Sequence, residues 1–122
     1  MAADLFGLLH ATFLQSSPSS GELVWRPAVD VYRTSNGWLL KFELAGVRPE
    51  DLEVRVRGSR LTVRGARRDW CVGETCSCHM MEITYSHFER TIELPENVSP
   101  SQIRAEHRHG LLLIRIQRED VP

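Results

Sequence analysis

The sequence predicts an all-β protein: a β-sandwich of seven to eight antiparallel strands behind a short helical or disordered N-terminal arm. Three observations predict it. Apolar residues recur at every second position through most of the chain, the period of a strand with one buried face. Turn residues break the runs at Ser35-Asn36-Gly37, Gly46-Val47-Arg48-Pro49 and Gly58-Ser59. At 122 residues the chain holds one domain with a real core and is too short for two ordinary ones. Many short strands in one such domain argue for a sandwich.

The arm comes first. Leu5, Leu8 and Leu9 stand at i, i+3 and i+4, with Phe13 four further on and Phe6 and Leu14 beside them. That is an apolar stripe at helical spacing. Some ten residues make a marginal helix in water, so the arm is expected to be helical only when docked. Ser16-Ser17-Pro18-Ser19-Ser20-Gly21 reads as a flexible linker. Residues 1–24 are therefore arm and linker, 25–118 the sandwich, and 119–122 a vestigial tail.

From Trp25 the period becomes two. Val29 and Val31 alternate with Asp30 and Tyr32. Trp38, Leu40, Phe42 and Leu44 alternate with Leu39, Lys41 and Glu43. Leu52, Val54 and Val56 alternate with Glu53, Arg55 and Arg57, and Leu61 and Val63 continue the pattern. Pro49-Glu50-Asp51 suits a single helical turn. Residues 65–82 interrupt the alternation. Phe88, Ile92 and Leu94 resume it, Ser99-Pro100-Ser101-Gln102 is a loop or short turn, and a last hairpin turns at His109-Gly110. A type I′ turn needs φ > 0 at both central residues, which His tolerates better than most side chains.

Composition narrows the function classes. The net charge of −1 gives no global pull toward nucleic acid or an acidic membrane. No apolar run approaches the ~20 residues of a membrane span, and the N-terminus lacks a signal-peptide pattern. Three cysteines in one stretch, an odd number, argue against a secreted disulfide framework. A cytoplasmic location is expected. Arg55, Arg57, Arg60 and Arg64 form a basic stripe diluted by Glu53, without the interleaved aromatics of a nucleic-acid site. No nucleophile elbow, phosphate loop or metalloprotease helix is present. His107 and His109 beside Glu106 read as hairpin residues. The chain is expected to be no enzyme and to need no cofactor.

Several stretches share one resemblance. Ala45-Gly46-Val47-Arg48-Pro49-Glu50-Asp51-Leu52, Arg60-Leu61-Thr62-Val63-Arg64-Gly65, Tyr85-Ser86-His87-Phe88-Glu89-Arg90, and Leu94-Pro95-Glu96-Asn97-Val98 occur in order. They are followed by Ala105, five residues before Gly110, and then by an apolar run. Together they closely resemble the alpha-crystallin domain of small heat-shock proteins, over roughly residues 25–117. The resemblance implies an immunoglobulin-like sandwich that binds unfolding proteins without ATP and is built as a homodimer or small homo-oligomer.

It also implies sites. Residues of the long loop, Cys78, His79, Met80, Met81, Glu82 and Ile83, would form a strand against Ala28, Val29, Asp30, Val31 and Tyr32 of a second copy. Leu52, Val54 and Val56, with Ile103 and Ala105, would wall an open groove at the sandwich edge. Arg90 shares the face of Phe88, Ile92 and Leu94, so alternation aims it inward, where a guanidinium must be paired or snorkel to water. The family places a dimer-holding arginine at the matching position. Relatives usually end in a tail whose Ile-x-Ile motif enters a neighbour's groove. Ile114-Arg115-Ile116 has those letters but lies inside a strand, so dimers to small oligomers are expected in place of large cages.

The resulting expectation is an ATP-independent holdase. Leu5, Phe6, Leu8, Leu9, Phe13 and Leu14 of the arm, with the groove residues, would capture partly unfolded clients by the hydrophobic effect. The rival is a β-sandwich adaptor or co-chaperone binding one folded partner. A third reading rests on Cys71, Cys76, Cys78 and His79, a weak zinc candidate with nonstandard spacing. The same loop would serve a redox switch if Arg67 and Arg68 folded against a thiol.

Overall fold

The computed structural model describes residues 25–69 and 76–118. The proposed arm, Cys71 and the last four residues lie outside the described residues. Seven strands form within them: β1 (Val29–Thr34), β2 (Gly37–Glu43), β3 (Leu52–Arg57), β4 (Arg60–Ala66), β5 (His87–Glu93), β6 (Ile103–Arg108) and β7 (Leu111–Gln117). One sheet runs β1-β2-β7-β6 and the other β3-β4-β5, with every pairing antiparallel.

Two-residue turns set the registers. His109 and Gly110 have φ of 55° and 78°, the left-handed pair that type I′ demands, and Arg108 faces Leu111 across the turn. Gly58 has φ of 62° at the first turn position, which glycine adopts at no steric cost, and Arg57 faces Arg60. The expected helical turn forms at Pro49–Asp51, and a second short 3₁₀ turn at Pro100–Gln102 starts β6.

The core lies between the sheets. Leu40 and Phe42 of β2 face Ile114 and Leu112 of β7. Across from them sit Leu61 and Val63 of β4 and Phe88 of β5. Leu44, Val47, Leu94 and Val98 close the ends. Of these, Leu40, Phe42, Leu44, Leu61, Val63, Phe88 and Leu94 are positions that the two-residue period marked as inward.

Two expectations change. Strand β4 runs through Ala66, past the break expected at residue 65, because it is the central strand of its sheet and is held on both sides: Gly65 faces Leu52 and Phe88. In β1, only Val29 is even half-buried, and Val31 is exposed despite its inward phase. The opposing sheet has one strand fewer, so β1 projects without cover.

Gly37 opens β2 at a close approach. A Cβ there would stand 1.8 Å from the Ile116 carbonyl oxygen. Gly37→Ala is expected to destabilise the domain by about 1–3 kcal/mol, read as a lower urea midpoint at unchanged slope.

Candidate functional site

Strand order fixes which edges face each other. Before β1, the Pro27 carbonyl accepts a hydrogen bond from Arg90 Nη1 at 2.6 Å. The Trp25 ring meets Phe88 edge-on, with centroids 5.1 Å apart. Strand β5 therefore lies toward β1, which leaves β3 and β6 as the edges at the opposite side. Neither is hydrogen-bonded to the other. Leu52, Val54, Val56 and Ile103 are half-buried against the core, and Ala105 is exposed. Four of the five residues expected to wall a groove thus pack partly buried against the core on the two edge strands β3 and β6. His107, on the same face of β6, has its Nε2 buried without a hydrogen-bond partner.

Arg90 is half-buried, and burial lowers its pKa. A guanidinium keeps its charge even so. Its bond to the Pro27 carbonyl ties β5, within one chain, to the segment leading into β1.

The second arginine of this region is Arg67. Its Nε donates to the Thr84 carbonyl at 2.9 Å and its Nη1 to the Ala45 carbonyl at 3.3 Å. The guanidinium stacks 3.8 Å from the Trp25 ring centroid, a cation–π contact strengthened by partial desolvation. Its backbone N–H donates to Ser86, and burial lowers its pKa as well. One side chain therefore joins the segment before β1, the β2–β3 connection and the end of the long loop. Sequence reading placed Arg67 only as a possible neighbour of a thiol. The run Arg67-Arg68-Asp69 carries no signal of this role.

The cysteine reading changes in the same way. Arg68 pairs with Asp51 at 3.2 Å. Cys76 is disulfide-bonded and has no thiolate to give a metal. Cys78 is a free, exposed thiol. Among the described residues no cluster of His, Cys, Asp and Glu is placed to hold a metal ion.

The exposed apolar residues are concentrated. Among the described residues, the large ones are Val31 (42% exposed), Tyr32 (45%), Met80 (74%), Met81 (52%) and Ile83 (57%). All five fall in the two segments that the resemblance marked for an interface. Residues 76–86 join no strand ladder, and β1 is an edge strand.

The outer face of the three-stranded sheet is polar. Glu53 accepts from Arg64 Nε at 2.6 Å and Arg55 Nη2 at 2.7 Å. These bonds, Arg64 first, hold its carboxyl below the usual range. Its contribution is thus present above the unfolded pKa and lost as pH falls through the folded one. Arg60 pairs with Glu93 at 3.2 Å. Three of the four arginines of the basic stripe, Arg55, Arg60 and Arg64, are thus ion-paired where they stand. Among the described residues, no helix is long and apolar enough to cross a membrane.

Comparisons with known proteins agree with one another. The model of the Hsp20/alpha crystallin family matches residues 30–122. Small heat shock protein C2 of Rickettsia felis is 30% identical over 109 residues, covering 89% of this chain and 70% of that protein. Spore protein SP21 of Stigmatella aurantiaca is 30% identical over 92 residues, covering 75% of this chain and 54% of its own length. Among solved structures, hspA of Xanthomonas axonopodis superposes with a TM-score of 0.66 at 33% identity, over 77% of this chain and 94% of that one. A small heat-shock protein of Xylella fastidiosa gives 0.65 at 29% identity, over 80% and 92%.

Arg67→Lys tests the clamp. Lysine keeps the charge but has no planar fork to serve two carbonyls and lie on a ring. The expected loss is about 1–3 kcal/mol in urea unfolding, with stability within a few tenths of the parent chain arguing against the clamp.

Proposed function

Because the chain belongs to the Hsp20/alpha crystallin family, we propose that it is an ATP-independent holdase whose working unit is a homodimer. One observation carries the dimer: every large exposed apolar residue among those described lies on β1 or in residues 80–83. An edge strand with a free row of N–H and C=O groups recruits another strand, and residues 76–83 form no ladder of their own. In this reading Cys78, His79, Met80, Met81, Glu82 and Ile83 of one copy pair with Ala28, Val29, Asp30, Val31 and Tyr32 of the other. Arg90, through Pro27, sets the position of β1 for that pairing.

Clients are captured by apolar surface. The edge strands carrying Leu52, Val54, Val56 and Ile103 offer half-buried side chains. The arm residues Leu5, Phe6, Leu8, Leu9, Phe13 and Leu14 supply the larger share. A partly unfolded protein exposes apolar segments that would otherwise associate with each other, and covering them keeps it soluble. No residue in this scheme performs a reaction. The clustered, odd cysteines support a cytoplasmic location, where the Cys76 disulfide would be regulatory or transient.

The test is suppression of aggregation of several unrelated heated proteins, without nucleotide, followed by light scattering. Full-length chain is expected to protect all of them. Removal of residues 1–20 should sharply reduce protection while far-UV circular dichroism keeps the sandwich signal. Arg90→Ala, or deletion of residues 76–83, should shift solution mass toward monomer. Protection of one protein alone would favour a dedicated adaptor. Dimers unchanged in both variants would refute the interface.

A further inference from the structure

We propose that Met80 and Met81 are a paired oxidation site, through which peroxide-class oxidants open the dimer. The inference rests on the dimer proposed above. Of the five exposed large apolar residues, Met80 is the most open at 74% and Met81 stands at 52%. Val31, Tyr32 and Ile83 keep their chemical character in mild peroxide, whereas a thioether becomes a polar sulfoxide in one step.

The step balances without a cofactor. The methionine sulfur attacks one oxygen of hydrogen peroxide. The O–O bond breaks, an S–O bond forms, sulfur loses two electrons, and the other oxygen leaves as water. Methionine sulfoxide reductases reverse the change.

The placement makes the product matter. In the single chain both thioethers face solvent. In a paired strand Met80 and Met81 would point to opposite faces, one beside Val31 and the other beside Tyr32, which between them offer one side-chain hydroxyl for two sulfoxide oxygens. A buried polar oxygen without a partner opposes association. Oxidant reaches the sulfurs when the subunits are apart, and the sulfoxides then hinder their return. The backbone at the segment's end stays tied by Arg67, which donates to Thr84 and Ser86. Oxidation therefore changes the surface of residues 80–81 while the sandwich persists. Cys78, exposed and free two residues upstream, would react with the same oxidant, so the thiol must be removed to isolate the methionines.

The experiment uses full-length chain carrying Cys78→Ser. It is treated with hydrogen peroxide, mapped by peptide mass spectrometry, and its dimer dissociation constant is measured by analytical ultracentrifugation. The expected result is a constant raised about tenfold or more per sulfoxide, and restored by methionine sulfoxide reductases. With Met80→Leu and Met81→Leu added, peroxide should leave the constant unchanged, since leucine fills a similar volume. An unchanged constant with both sulfoxides formed would overturn the inference, as would equal weakening of the leucine variant. Deletion of residues 76–83 separates the two failures. If the deletion leaves the dimer intact, the interface itself is wrong and this inference falls with it. If the deletion abolishes the dimer and the sulfoxides do not weaken it, the oxidation site alone is refuted.

Discussion

A sandwich of two open sheets has four edges, and each presents a row of backbone groups that no neighbour satisfies. In this protein the edges are β1 and β6 of one sheet and β3 and β5 of the other. The arrangement follows from a count of four strands against three. A three-stranded sheet covers three strands, so β1 projects with Val31 and Tyr32 exposed. At the far side, the edges β3 and β6 carry half-buried aliphatic side chains packed against the core. Both features on which the proposed function rests follow from the edges of the two sheets, while the residues between them form one buried core.

Two arginines hold the projecting edge in place. Arg90 reaches from β5 to the Pro27 carbonyl, and Arg67 stacks on Trp25 while bonding to Thr84 and Ala45. Both are partly desolvated and charged: Arg90 is met by one carbonyl oxygen, Arg67 by two and an aromatic face. Hydrogen bonds to a charged group are worth more than neutral ones. Such bonds are directional, so they fix where β1 begins as well as how firmly. In the proposed dimer, an edge strand held this way would be positioned for pairing before its partner arrives, which lowers the ordering cost of association.

Most of the fold was legible because period two and turn chemistry are local. The inward phase of Leu40, Phe42, Leu61, Val63 and Phe88 follows from alternation, and His109-Gly110 marks its turn by conformational tolerance. The relation between strands was less legible. Alternation assigns Val31 an inward phase but cannot say that no strand will lie over it. Gly65 looked like a terminator, yet β4 passes through it because pairing on both sides outweighs its weak propensity. For the candidate site, the groove aliphatics and the inward Arg90 were readable as residues. Arg67 was not, because its three partners come from separate parts of the chain. The cysteine stretch suggested metal or redox chemistry by composition, and the disulfide at Cys76 removes the thiolate that a zinc site would need.

The account turns on whether the free edge of β1 is paired by a second copy. Hydrogen exchange of the β1 amides that point away from β2, followed across a dilution series, tests this most directly. Protection is expected to rise with protein concentration in step with the dimer fraction, and residues 76–83 should gain protection together with β1. Rapid exchange of those amides at a concentration where the chain is dimeric would contradict the account, because the dimer would then be formed elsewhere on the sandwich.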